Sequence, residues 1–184
     1  CSPDFGEQGV LDRFGQIEPK LFIACDGYWY NGKQQDVSAK VRAVSSALNV
    51  PVLVISYLGN AAEVAATLSN ALTWEDIAAQ FKVRAIKFEQ VPFSHPLYIL
   101  FSSGTTGVPK CIVHSAGGTL LQHLKEQRLH CGVRPGERIF YFTTCGWMMW
   151  NWLASGLASQ ATLCLYDGSP FAPNGNVLFD YAQD

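Results

Sequence analysis

Charge is scarce in this sequence. Asp, Glu, Lys and Arg supply only 15% of its residues, the net charge is −2 and no long basic run occurs. The electrostatic footprint of a nucleic-acid binder is therefore missing, and any phosphate must be held locally. The six cysteines, at 1, 25, 111, 131, 145 and 164, form no C-x-x-C pair. Several lie in apolar runs, where buried free thiols are common, so they read as reduced and cytosolic. No apolar stretch reaches the roughly 18–20 residues of a membrane span. The opening "CSPDFGEQGVLDRFG" has no basic-then-apolar signal pattern and no initiator Met, which makes an excised piece of a larger body the expectation.

Apolar residues, by contrast, are plentiful. They make up 48% of the chain and include eleven Phe, seven Tyr and five Trp, which excludes a disordered chain. A length of 184 residues suits one compact unit with a sizeable core. Short apolar runs recur at 20–25, 51–57, 97–102, 138–143 and 161–167, and continuous runs of this kind suit strands of a sheet covered on both faces. Between the first two, Val37, Val41, Val44 and Leu48 fall on one helical stripe behind Asp36, a candidate N-cap, completing a β-α-β unit. Thr73 and Asp76 have capping-box spacing. Ser115 is a candidate N-cap for a helix running to Cys131 and stopped by Gly132, with Leu120, Leu121, Leu124 and Cys131 within about 100° of arc. A further helix is expected near 148–159. The alternation predicts an α/β fold, a layered and mostly parallel sheet flanked by helices.

One stretch stands apart. "LFSSGTTGVPK", residues 100–110, places glycines and hydroxyls behind an apolar strand, at the carboxyl end where α/β sheets gather their ligands. Gly104 and Gly107 permit backbone conformations closed to other residues. Ser102, Ser103, Thr105 and Thr106 add hydroxyl donors, the intervening amides can form an anion-binding concavity, and Lys110 brings a compact positive charge. All of this suits a polyphosphate. The stretch is not a Walker A loop, because Val108 and Pro109 separate Gly107 from Lys110 and Cys111 follows the lysine. There is no G-x-G-x-x-G either. A generic loop of this composition would more often be a turn with no ligand.

The residue order changes that balance. "SSGTTGVPK" resembles the phosphate-binding signature of the adenylate-forming superfamily, which includes acyl-CoA synthetases, luciferases and nonribosomal peptide adenylation domains. The flanking "VPFSHPLYIL" and "CIVHSAGG", with "YFTTCGWMMWNWL" further on, are similar to its acetyl-CoA synthetase branch. The resemblance implies that residues 1–184 are a partial N-terminal AMP-binding domain with the C-terminal domain absent. It also implies a cytoplasmic, ATP-dependent acid-thiol ligase acting through an acyl-adenylate, with Mg2+, coenzyme A and a short acyl carboxylate, acetoacetate foremost. Neither nucleic acid nor membrane is an implied partner; the C-terminal domain of the parent chain is. On that reading Ser102, Ser103, Gly104, Thr105, Thr106 and Gly107 cradle the β and γ phosphates, and Lys110 offsets charge on the leaving pyrophosphate. Fixed donors aimed at developing charge lower such a barrier.

Two departures qualify the likeness. The acidic residue that relatives tend to carry in the segment reading "TTCGW" is missing here, and the family's adenine, ribose, magnesium and C-terminal lysine motifs would lie beyond Asp184. The isolated piece is accordingly expected to be inactive. A non-catalytic nucleotide-binding module on the same fold, and a ligase of different acyl specificity, remain alternatives.

Other residues weigh less. His123 and His130, seven apart on one predicted helix, stand about 10 Å apart along its axis, too far for one metal, and read as part of a solvated face. No metal ligand is assigned. His114 follows the loop closely, with helix-entry packing as plausible as ligand contact. Trp147, Met148, Met149, Trp150 and Trp152 are mostly expected in the core, except Trp147, which follows Gly146 in the segment resembling the family's acyl-pocket motif. Cys111 follows Lys110 directly, but the sequence marks neither a helix start nor a histidine that would activate it, and a nucleophilic role is not expected.

Overall fold

Val37, Val41 and Val44, spaced along one side of a helix, are all buried, and the sheet they cover organises the first half of the chain. The computed structural model describes residues 1–102 and 107–183. Where the length suggested one compact unit, the chain folds as two: Pro3–Val83 with the chain from Asp167 on, and Cys1–Ser2 with Arg84–Tyr166.

In the first unit, α1 (Glu7–Phe14) precedes β1 (Phe22–Cys25), a hairpin of β2 (Gly27–Tyr30) and β3 (Lys33–Asp36), α2 (Ser38–Leu48) and β4 (Val52–Ile55). Strand β4 runs parallel to β1, with Phe22 opposite Val52 and Cys25 opposite Ile55. The expected β-α-β unit is therefore present, with a hairpin inserted in its crossover. Next come α3 (Ala61–Ala66), β5 (Ala71–Thr73) and α4 (Trp74–Gln80). Strand β5 adds in parallel to the other edge of β4. Helix α7 (Val177–Gln183) closes this unit's sequence.

Asp36 was the expected N-cap of α2, but the cap falls one residue later, at Val37, which makes no side-chain capping bond; Asp36 instead braces the first turn from outside it. Its Oδ1 accepts from the Ser38 amide at 2.8 Å and from the Ser38 hydroxyl. The Thr73–Asp76 capping box also forms: Asp76 N donates to Thr73 Oγ1 at 3.1 Å, and Thr73 N donates back to Asp76 Oδ2 at 3.0 Å. These bonds satisfy amides that a helix start leaves without intrahelical partners. Val37, Val41, Val52, Val54, Ala61 and Val64 then form one buried cluster.

A carboxylate that sequence reasoning passed over holds the turn after β4. Asp26 is fully buried. Its two oxygens accept from the amides of Tyr57, Leu58, Gly59 and Asn60 at 2.8, 2.9, 3.0 and 2.9 Å. Burial alone pushes its pKa up, but the four amides outweigh that and hold it below the usual carboxylate range. The ordered turn presents Tyr57, whose hydroxyl donates to Asp167.

In the second unit an antiparallel hairpin pairs β6 (Pro96–Ser102) with β7 (Lys110–Ser115). The sequence expectation placed the glycine-threonine stretch within alternating parallel structure; it lies instead between the arms of this hairpin. Helix α5 (Ala116–Leu124) follows directly. Ser115 Oγ accepts from Gly118 N at 3.3 Å, while Ala116 N and Gly117 N donate to the carbonyls of His95 and Phe93. Phe93 passes so close to Gly117 that a Cβ there would lie 2.2 Å from its ring, which explains the glycine. The helix continues as a wider π-helix over Lys125–His130 and stops at Gly132, φ +69°.

The buried face of this helix reverses the expectation. Leu120 and Leu121 are 46% and 64% exposed, and Cys131 is exposed, while Thr119, His123 and Gln127 are buried. His123 therefore does not belong to a solvated face, although His130 does. Arc counting placed the leucines inward; His123 and Gln127 go in because the segment at 152–159 offers them hydrogen-bond partners, while the buried Thr119 hydroxyl has none. Finally, β8 (Arg138–Phe140), α6 (Met148–Ala154), a 3-10 turn over Ser155–Ser159 and β9 (Thr162–Cys164) make a second parallel β-α-β unit. Its core is Ile139, Trp152, Leu153 and Ala161.

The cysteines are less buried than their surroundings implied: 1, 111, 131 and 145 are exposed and 25 and 164 half-buried. Among the described residues no helix is long and apolar enough to cross a membrane.

Candidate functional site

The hairpin register sets the geometry around the loop. Ser102, the last residue of β6, is the cross-strand partner of Lys110, the first of β7. Directly opposed residues of an antiparallel pair project from the same face, so a hydroxyl and an ammonium flank the mouth of the loop together. Lys110 is exposed, which leaves its charge available to an arriving anion. Gly107 has φ +97° with open space where a Cβ would sit, so its backbone conformation, not crowding, requires glycine. Ser103, Gly104, Thr105 and Thr106 lie outside the described residues.

Alternation along β7 puts Lys110, Ile112 and His114 on one face. His114 stacks on its partner Tyr98, ring centroids 5.3 Å apart, and lies four residues, roughly 13 Å along a strand, from Lys110. The structure thus gives His114 a packing partner and does not bring it to the loop. Cys111, on the opposite face of β7, pairs with Phe101.

An apolar cavity of about 340 Å³ is lined by Tyr141, Phe142, Thr143, Thr144, Trp147 and Met149, within the 300–1,000 Å³ of small-molecule sites. Trp147 sits at the N-cap of α6, is 71% exposed and donates its amide to Thr144 O at 3.0 Å. It is a wall residue, not a core one. Of the remaining aromatic and thioether residues, Trp152 is core, Met149 packs against it, and Met148 is 51% exposed. Sequence reasoning singled out Trp147 but not Tyr141 or Phe142, which it had assigned to a strand; β8 ends at Phe140 and frees them for the cavity.

Beneath α6 lies a polar network. Gln127, fully buried, donates from Nε2 to Trp152 O at 2.7 Å and to Ser155 Oγ at 3.2 Å, and its Oε1 accepts from Ser159 Oγ at 2.9 Å. Ser155 Oγ donates to Trp152 O at 2.7 Å, and His123 Nδ1 lies 2.9 Å from Ser155 Oγ. Since the single serine proton is committed to Trp152, His123 donates from Nδ1. Burial pushes the His123 pKa down, partly opposed by Glu126. No group of three or more His, Cys, Asp or Glu that could hold a metal ion occurs among the described residues.

Parallel β-α-β units, a glycine- and hydroxyl-rich sequence flanked by Ser102 and Lys110, and an apolar cavity in the same unit define the class, an α/β chain with a candidate ligand site. The chain belongs to the AMP-binding enzyme family, which it matches over residues 1–184. It is 73% identical over 182 residues to the acetoacetyl-coenzyme A synthetase of Rhizobium meliloti (strain 1021), covering 99% of this chain and 28% of that protein. It is 45% identical over 179 residues to the malonamoyl-CoA synthetase of Penicillium aethiopicum, covering 92% of this chain and 24% of that protein. Among solved structures, acetoacetyl-CoA synthetase from Streptomyces lividans superposes with a TM-score of 0.91 at 46% identity, over 99% of this chain and 27% of that one. The chain thus spans less than a third of the length of these relatives.

Proposed function

We propose that this chain is part of a cytoplasmic ATP-dependent acid-thiol ligase that joins acetoacetate to coenzyme A, releasing AMP and pyrophosphate. Residues 1–184 belong to one large N-terminal AMP-binding domain, and the C-terminal domain lies in other parts of the parent chain. The observation that carries the reading is the pairing of Ser102 with Lys110 across the mouth of a hydroxyl-rich loop, in a chain of the AMP-binding family.

The chemistry follows from that pairing. An acetoacetate carboxylate oxygen attacks the α-phosphorus of ATP, and the bond to the bridging oxygen of pyrophosphate breaks. Hydroxyls and amides of Ser102, Ser103, Gly104, Thr105, Thr106 and Gly107 hold the β and γ phosphates, and Lys110 neutralises charge that builds on the leaving pyrophosphate, a gain realised most fully as the bond breaks. The thiol of coenzyme A then attacks the acyl carbon and AMP leaves. The cavity walled by Trp147 takes the short acyl chain. Magnesium that accompanies ATP is held largely by phosphate oxygens and water, and no step here passes through it.

The test is carboxylate-dependent exchange of labelled pyrophosphate into ATP by the full-length enzyme. Acetoacetate is expected to support the fastest exchange. Preference for another short acid would keep the ligase and reject acetoacetate, an alternative that the likeness to a malonamoyl-CoA synthetase makes concrete. ATP binding without exchange on any carboxylate would favour a nucleotide-binding module.

A further inference from the structure

The face of the helix that carries Thr119, His123 and Gln127 has an unusual construction. Its buried residues recur every four positions, whereas an α-turn takes about 3.6 residues, so a straight α-helix would rotate Gln127 away from the stripe. The helix widens into a π-helix over Lys125–His130, and the wider turn brings Gln127 back onto it. Such widened turns interrupt regular helices chiefly where a side chain must be aimed.

What Gln127 is aimed at is the far end of α6. Its amide is fully used: two donors to Trp152 O and Ser155 Oγ, one acceptor from Ser159 Oγ. These bonds fix the carboxyl end of α6 and the 3-10 turn that follows. The same short helix begins immediately after Trp147 and carries Met149, both of them cavity walls. The Trp152 ring packs edge-on against Tyr141, a third wall, at a centroid separation of 6.1 Å. One buried amide thereby anchors the segment that supplies two of the cavity's six lining residues and backs a third.

We propose that Gln127 is a positioning residue for acyl selection: it touches no substrate, and through Trp152 and Ser159 it sets the placement of the wall formed by Tyr141, Trp147 and Met149. This rests on the reading of the cavity as the acyl site. A displaced wall degrades the fit of one acid over its homologues, and pockets discriminate single methylene groups by only about 10–200-fold, so a small displacement is enough to be visible.

The experiment compares kcat/KM for acetoacetate and for butyrate, with KM for ATP, in the full-length enzyme and five variants. Gln127→Leu keeps the bulk and removes the three bonds; it is expected to shift the acyl ratio about tenfold, within the range for such pockets, and to leave KM for ATP nearly unchanged. Ser159→Ala removes a single bond to Gln127 Oε1, gives a smaller shift in the same direction, and keeps the test alive if Gln127→Leu fails to fold. Val44→Ala, in the core of the other unit, lowers Tm without moving the ratio, which separates positioning from general destabilisation. In the double variant Gln127→Leu with Trp147→Ala, the shift is expected to fall short of the product of the two single shifts, because both changes act on one wall. If Trp147→Ala moves the ratio while Gln127→Leu and Ser159→Ala do not, the positioning role is overturned and the acyl-site reading stands. If none of the three moves it, both are overturned.

Discussion

Strands β4 and β7 contain runs that read alike, "VLVI" and "CIVH", yet they meet opposite fates. Val52, Leu53 and Val54 in β4 are 3%, 5% and 0% exposed, whereas Ile112 and Val113 in β7 are 45% and 58% exposed. The difference lies in neighbours. Strand β4 has a parallel partner on each side and helices that cover it; β7, among the described residues, pairs with β6 alone. Hydrophobicity makes a strand, but flanking strands and helices decide whether it becomes core. The sheet around β4 therefore carries stability, and the hairpin around β7 carries the loop.

The largest expected effect breaks the open side of this comparison. Lys110→Ala in the full-length enzyme removes the cation proposed to meet developing charge, and losses of about 10²–10³-fold in rate accompany removal of one such donor. Acyl-adenylate formation is expected to fall on that scale, while thioester formation from preformed acyl-adenylate falls far less and Tm hardly moves. Equal losses in the two half-reactions would make the lysine structural.

The sealed side breaks differently. Asp26→Ala leaves four convergent amides without their acceptor, and one unsatisfied buried group already costs about 1–3 kcal/mol, so a Tm drop with little change in ATP affinity is expected. The pH dependence sharpens this. The folded carboxyl titrates below its ordinary range, so the unfolded chain takes up the proton first as the solution is acidified. Its contribution is complete above about pH 4 and is lost as pH falls through the folded value. The Asp26→Ala variant should show a flatter Tm profile in that acid window; an unchanged slope would dismiss the carboxylate as an anchor.

The smallest overall effect is expected at a residue that is neither sealed in the core nor beside the loop. Trp147 is large yet 71% exposed; a core tryptophan cut to alanine costs about 3–5 kcal/mol, and this one should cost much less. Trp147→Ala is expected to hold Tm near the parent value and to change the ratio of kcat/KM between short and longer acids. A large Tm loss with unchanged acyl preference would return the residue to the core.

What the sequence disclosed was local chemistry. The valine stripe of α2, the Thr73–Asp76 box and the Ser115 cap were all legible because each is decided within a few residues. The β2–β3 hairpin was equally legible and went unread: Asn31 and Gly32 carry φ of 50° and 72°, the strongest short-range hairpin signal there is. The inverted face of the 116–130 helix could not be read, since Gln127 is buried by partners 25–32 residues away. Asp26 was hidden for the same reason, its four amides lying 31–34 residues further on. In the candidate site, Ser102, Lys110 and Trp147 were singled out from residue order, while the cavity walls at 141 and 142 depended on where β8 stops.

The interleaving of the two units bears on how the chain is made. The roughly 80 residues from Arg84 to Tyr166 interrupt a unit that resumes at Asp167, where the Tyr57 hydroxyl finds its acceptor. Tyr57 precedes that acceptor by 110 residues, so at synthesis rates of about 5–20 residues per second the ordered turn waits some 6–22 s on the ribosome before the acceptor emerges. Throughout that interval the nascent sheet must stand on its own core, and the valines of α2 and β4, all close in sequence, are the residues able to assemble it before the rest of the unit exists.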